Sequence, residues 1–207
     1  MINRRLLKAL SIIACACVLG ASSLMATSPR VVKAFDPWEG RIRVYSVGYL
    51  VFPSVTVQVQ FATPPFTSSQ KALVNSDIAA LISFYGYDAT PVSGKGPTLD
   101  YNCHGYAWFY SNTWINQYYL DTTTDTFTST PNLSIFWTSG TYSLIASSSG
   151  TIPSGVPNGA KVFYANGDHS AVKTSSTKFT SKWGVGGEYV HSPQDAPYSH
   201  SSLKYYN

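Results

Sequence analysis

The chain has 207 residues, of which 44% are hydrophobic, 14% aromatic and only 12% charged. This length suits a single domain with a substantial core. The formal charge of +4 is unevenly placed, since Arg4, Arg5, Lys8, Arg30 and Lys33 all precede residue 35 and no acid accompanies them. Beyond residue 34 nine basic residues face ten acidic ones, a net of −1. No basic patch remains to argue for nucleic acid, and no later apolar run nears the roughly 20 residues of a membrane helix.

The first segment has a basic n-region at Arg4, Arg5 and Lys8, and an uncharged apolar stretch from Ala9 to Leu19. Small residues follow, so residues 1–34 read as a secretory signal peptide. Two cleavage positions fit the small-x-small rule, after Ala26 and after Ala34, and Ala34 is the favoured one. An uncleaved anchor, or a lipidated Cys15 in IIAC, are the alternative readings. The expected product is secreted and extracellular, cell-wall associated or free, with no membrane segment in the mature form. The leader takes Cys15 and Cys17 with it and leaves Cys103 alone. A lone thiol in an exported chain is an oxidation hazard, so its presence suggests use.

Residues 35–97 form the expected N-terminal strand and helix segment. RIRVYSVGYLVF and SVTVQVQF alternate apolar and polar side chains, which predicts two strands. Ser69 to Tyr85 has helical spacing at Ile78, Leu81 and Ile82, with Asn75, Ser76 or Asp77 as candidate caps. Residues 86–99 read as a loop. The expected core domain is 98–207. Its first element is a buried helix starting near Cys103 in DYNCHGYAWFY, with Asn102 as N-cap; a strand is the competing reading. Residues 111–157 are polar with scattered aromatics. Three strands follow, in NGAKVFYA, DHSAVKT and KFTSKWG, with a hairpin turn at Asn166-Gly167 and a second turn at 175–177. A glycine-rich turn and EYVHSP come next.

The order is therefore a helix opening at Cys103, a long connection, a strand, a turn, and a strand opening at His169. A thiol at a helix start faces unpaired N–H groups and the positive end of the dipole, which favours thiolate. An imidazole on a rigid neighbouring strand can take the thiol proton. The Cys103 backbone N–H can help hold an oxyanion.

Asn-Cys-His-Gly-Tyr-Ala-Trp at 102–108 resembles the Cys-bearing helix start of NlpC-type and CHAP-type papain-like cysteine hydrolases. The stretch NGAKVFYANGDHSAVKTSSTKFTS resembles their hairpin, in which a histidine opens the second strand. Gly159-Ala160-Lys161 stands where these families often have Gly-Asp. The resemblance spans about residues 98–183. It implies an α+β, papain-like fold, with a Cys-bearing helix packed on a small antiparallel sheet and an extra β-rich N-terminal segment. It also implies amide hydrolysis or transfer, with Cys103 as nucleophile and His169 as base and then acid. A polar residue on the following strand orients the imidazole in such enzymes. Counting across the hairpin places it at Ser181, with His191 as the other candidate.

His104 adjoins the thiol in sequence, but neighbouring helical residues point about 100° apart, so local hydrogen bonding or packing is its expected role. Tyr101 and Tyr87 are candidate oxyanion donors, and packed aromatics otherwise. A zinc site from Cys103, His104, His169 and His191 is disfavoured by the absence of C-x-x-C and H-x-x-x-H spacing. No G-x-S-x-G supports a serine hydrolase. No cofactor is implied. Trp114, Trp137 and Trp183 could stack on sugars or fill the core. The leading reading is an exported, monomeric cysteine hydrolase acting on a peptide or a peptidoglycan stem peptide. The rivals are a non-catalytic surface binding protein on the same fold, and an amide or acyl transferase.

Overall fold

The computed structural model describes residues 30–36, 41–51, 56–63, 65–109, 113–121, 123–124 and 126–207. Most of the expected leader, with Cys15, Cys17 and Ala26, lies outside them. The fold is mixed α+β, with few helices and antiparallel ladders throughout the described strands. β1 (Arg30–Asp36), β2 (Arg41–Val51) and β3 (Thr56–Thr63) form a three-stranded sheet in sequence order. Helix α1 (Ser68–Tyr85) follows, then β4 (Ala89–Pro91) and helix α2 (Cys103–Trp108). β5 (Tyr118–Asp121) and β6 (Thr126–Pro131) pair with each other, and a short helix α3 (Ile135–Thr138) comes next. The main sheet is completed by β7 (Leu144–Ser148), β8 (Lys161–Tyr164), β9 (His169–Lys173), β10 (Phe179–Lys182), β11 (Glu188–His191) and β12 (Leu203–Tyr206). Its strand order is β4-β11-β10-β9-β8-β12-β7.

Several local expectations are revised. Helix α1 starts before Asn75, because Thr67 and Gln70 form a capping box: the Thr67 hydroxyl accepts from the Gln70 N–H, and the Gln70 side chain accepts from the Thr67 N–H. Asn75, Ser76 and Asp77 are helix interior. The 86–99 loop contains β4, an edge strand ending in Pro91, where a missing N–H is tolerated. The β8–β9 turn is longer than the two-residue Asn-Gly turn. Tyr164 pairs with His169, so four residues make the connection, and Asp168 adopts φ 44°, the only positive φ among the described non-glycine residues. A methyl group on Gly167 would lie 2.9 Å from both the N and the O of Ser199. The 198–199 backbone therefore sits directly on this turn, and the turn is shaped to receive it.

The aromatics of 111–157 are largely structural. Trp108 on α2 is ringed by Phe136, Trp137, Tyr142 and Tyr206, with centroids 5.1–5.8 Å away. Val57 and Val59 of β3 are buried in the same cluster as Ala107 and Trp108. Trp183 stacks on Tyr189 at 4.5 Å, beside Val74 and Ile78 of α1. Residues on both sides of position 97 thus share core clusters.

Buried amide side chains tie the irregular segments together. Asn102 Oδ1 accepts from the N–H of Gly105 (2.9 Å) and of Ile115 (3.1 Å), and its Nδ2 donates to the Ile115 carbonyl (2.6 Å). One side chain thereby caps α2 and pairs with Ile115 as a strand would. Asn132 does the same for Gln58, accepting from its N–H at 2.8 Å and donating to its carbonyl at 2.9 Å. Gln58 in turn accepts from the Leu120 N–H and donates to its carbonyl. A methyl group on Gly105 would fall 1.7 Å from the Thr113 carbonyl oxygen, so the 113–115 segment lies hard against α2.

Removing this clip is costly. Asn102→Ala deletes a helix cap and leaves buried Ile115 groups unpaired, so it should lower unfolding free energy by about 2 kcal/mol or more in urea melts. Asn102→Asp keeps the cap acceptor but sets a carboxylate against the Ile115 carbonyl. It should not restore wild-type stability.

Candidate functional site

Asn102 caps α2, and this sets Cys103 at the helix start, 6% exposed, on a cleft of about 260 Å³. Trp114, Asn116, Tyr118, Asp168, Gly184 and Tyr198 are among the residues that line it. The cleft therefore joins α2, the segment clipped by Asn102, the β8–β9 turn and the segment resting on Gly167. Of the three tryptophans considered for stacking, Trp114 borders this cleft, with its indole N–H donated to Asn116 at 3.2 Å.

His104 is fully buried between β9 and its preceding turn. Its Nδ1 is 2.8 Å from Ser170 Oγ, which also accepts from the Trp108 indole at 2.8 Å. Its Nε2 is 3.1 Å from Asp168 Oδ1. These partners are distant in sequence, so the bonding is not local. Burial pushes the His104 pKa down, but the negative charge of Cys103 and the hydrogen bond to Asp168 outweigh it and raise it to about 10. The same bond to His104 lowers the Asp168 carboxyl. Cys103, His104 and Asp168 thus form a charge chain along one wall.

His169 opens β9 and is fully buried, with its ring stacked on Tyr198 at 3.6 Å and 6°. Neither of its nitrogens has a hydrogen-bond partner among the described residues, so none joins it to Cys103. Burial holds its pKa well below 6.5, and the positive charges of His191 and His104 add to this. Ser181 is bonded to His191, with Oγ 2.7 Å from Nε2, and accepts from the Trp183 indole at 3.2 Å. The two candidate orienting residues therefore pair with each other. The β9–β10 register, with Phe179 opposite Lys173 and Thr180 opposite Val172, carries Ser181 to Ala171 rather than to His169. His191 is pushed down to about 4, chiefly by burial.

Tyr101 donates to Glu188 Oε1 at 2.6 Å. Tyr87 stacks on Tyr85, with centroids 5.5 Å apart. Of the two tyrosines that line the cleft, Tyr118 and Tyr198, Tyr198 has its phenol raised by burial and by the charges of Cys103 and Asp168, so it keeps its proton. Asp168, Ser170 and Tyr198 were not singled out from sequence. Asp168 carried one signal, as an Asp in an Asn-Gly-Asp turn can take the left-handed region. Tyr198, in a serine- and proline-rich stretch, carried none. Lys182, beside Ser181 on β10, is fully buried and is pushed down to about 7, mainly by burial. Among the described residues no three His, Cys, Asp or Glu side chains form a group able to hold a metal ion. No described helix is long and apolar enough to cross a membrane.

Comparison of the chain with protein-family models, with curated proteins and with solved structures gave no match.

The two buried histidines have opposite linkage to pH. His169 has a folded pKa below 6.5, so below that pH the unfolded chain takes up a proton that the folded chain refuses, and stability falls with acid. His104 has a folded pKa near 10, so its contribution is complete below 6.5 and is lost as pH rises through 10. His169→Phe removes two unpaired ring nitrogens and keeps the stack on Tyr198. It should stabilise the fold by about 1 kcal/mol at pH 8, and by more at pH 5, in denaturant titrations at the two pH values. Equal midpoints for both proteins at pH 5 would refute this account of His169.

Proposed function

We propose that the chain is an exported cysteine hydrolase of the papain-like class that cleaves an amide bond. Cys103 is the nucleophile and His169 is the base and then the acid. The substrate is a peptide, with a peptidoglycan stem peptide as the form that suits an exported enzyme. The supporting observation is Cys103 itself: the single cysteine outside the leader heads a capped helix, borders a cleft, and lies among histidines whose pKa values are driven apart. Opposite shifts in neighbouring titratable groups are a mark of acid–base sites. A Cys-bearing helix against an antiparallel sheet is the arrangement the papain-like reading asks for.

In this mechanism the Cys103 sulfur attacks the amide carbon, and the negative charge moves to the carbonyl oxygen. The C–N bond then breaks as a proton passes to the leaving amine, which leaves a thioester. Water attacks the thioester, gives up a proton to the base, and frees the acid product and the thiol.

The charge pattern favours a second assignment of the proton carrier. His104, rather than His169, responds to the Cys103 charge, and Asp168 holds it at Nε2. Once the sulfur is acylated its negative charge is gone. The pull that keeps the proton on His104 then weakens, and the imidazolium becomes a competent acid for the leaving amine. His169 would need Tyr198 to leave its face before meeting substrate.

Digestion of purified peptidoglycan and of denatured protein, read by mass spectrometry, tests the activity. Wild type should release new amine and carboxyl termini from one of them, and Cys103→Ala should release none while keeping the wild-type circular dichroism. No product from either substrate, with a thiol no more reactive than free cysteine, would favour a binding protein. The proton carrier is read from pH profiles of iodoacetamide alkylation. His104→Gln should slow the reaction near pH 6 at least tenfold if the charge chain operates, and His169→Phe should do so if the papain-like assignment holds.

Export has its own constraint. A cut after Ala34 would leave only Phe35 and Asp36 of β1, whereas a cut after Ala26 leaves the strand whole. N-terminal sequencing of secreted protein should therefore begin at Thr27, and a start at Phe35 would show that β1 is dispensable.

A further inference from the structure

Lys182 ends β10 with its side chain turned into the protein and no exposed surface. Its ammonium donates to the carbonyls of Thr98 at 3.2 Å, of Gly184 at 2.8 Å, and of Gly186. It also stands 5.3 Å from the centre of the Tyr101 ring. All three of its protons are thus spent on backbone oxygens, with no carboxylate within ion-pair distance among the described residues. Burying a cation this way is expensive, and an apolar side chain would fill the space at lower cost. The charges that attract it are those of Cys103, Glu188 and Asp100. Glu188 is already committed to the Tyr101 hydroxyl. Of the three, only Cys103 borders the cleft, and Gly184, which the ammonium holds, is part of the same cleft wall.

The 183–187 turn is also held by backbone bonds, from the Trp183 N–H to the Gly187 carbonyl at 3.0 Å and from the Thr98 N–H to the Val185 carbonyl at 3.2 Å. It carries three glycines, its Gly186 N–H returns to the Trp183 carbonyl at 2.7 Å, and Gly184 has φ 53°. A chain segment so rich in glycine has many conformations to lose. Two of the three Lys182 hydrogen bonds select one of them.

We propose that Lys182 is a positioning residue of the thiol site: its ammonium holds Gly184 in the cleft wall that Cys103 also borders, and its charge favours negative charge on the thiol. The inference rests on Cys103 as the reacting group, but it does not depend on which amide is cleaved or on which histidine carries the proton. It adds a second cation to a site whose first is His104, on a different element and reached through a different set of bonds.

The test measures coupling between Lys182 and Cys103 in the full-length protein and needs no substrate. Lys182→Met keeps the length of the side chain and removes the charge. Its iodoacetamide alkylation profile should move up by about one pH unit, so that alkylation on the acid limb is roughly tenfold slower than in wild type. A lowered melting temperature with an unmoved profile would make Lys182 a structural tie only and overturn the proposal. Reciprocity supplies the second measurement, which holds even if Lys182→Met fails to fold. In protein labelled with carbon-13 at the lysine ε position, the Lys182 titration should shift to lower pH in Cys103→Ser, because the attracting sulfur charge is gone. An unchanged Lys182 titration would overturn the coupling. Failure of wild type to cleave any peptide would overturn the hydrolase assignment while leaving both measurements interpretable.

Discussion

The Asn102 side chain is the constraint on which the rest of the site depends. A six-residue helix has little stability of its own in water. Here it is held by an amide that caps its first turn and, with the same atoms, grips the backbone of Ile115. Because Gly105 has no side chain, the 113–115 segment can close onto the helix until only a hydrogen would fit between them. The thiol and the Trp114–Tyr118 wall are thereby fixed to each other before any sheet contact is considered. Asn132 and Gln58 extend the same device to β3 and β5. Amides suit this work because each presents one donor and one acceptor in the spacing of a peptide group. They stitch together segments too irregular to pair as strands.

Electrostatics then divides the histidines. His104 and His169 are both buried, and burial alone would leave both neutral. What separates them is company. His104 has the Asp168 carboxylate at Nε2, the Ser170 hydroxyl at Nδ1 and the charge of Cys103 acting on it, while His169 has an aromatic face and two neighbouring imidazoles. Asp168 accepts a left-handed backbone to be in place. Strain of that kind persists only where surrounding structure imposes it, and it gathers at functional sites. Here the imposing structure is the 198–199 backbone resting on Gly167, which also brings Tyr198 over His169.

Legibility in the sequence followed the length and regularity of each signal. The strands in 158–183 and helix α1 announce themselves by periodicity, and Cys103 by its solitude. β4, β5, β6, β7 and β12 are short, and several expose alternate or consecutive residues, so no apolar period marks them. Ser181 was reached by counting across the β9–β10 hairpin, whose register sets it opposite Ala171, two residues short of the position facing His169. Its hydroxyl meets His191 of the next strand, a contact that counting within one hairpin does not reveal. The role of His104 was hidden for another reason. Its partners, Ser170 and Asp168, come from a distant strand and its turn, and no local rule brings them to it.

The position of β12 has a consequence for how the molecule comes together. Residues 203–206 lie between β8 and β7, inside the main sheet rather than at its margin. β7 has no other neighbour in that sheet, so it stays unattached until this late segment arrives. The Tyr198 segment that completes the cleft is drawn in just ahead of it. Closure of the sheet and assembly of the cleft are therefore one late, long-range event, and the large loops it must close make it slow. Until then the cysteine lies in a chain that has its helix signal but no enclosing wall, so the period of greatest exposure to oxidants falls during folding itself.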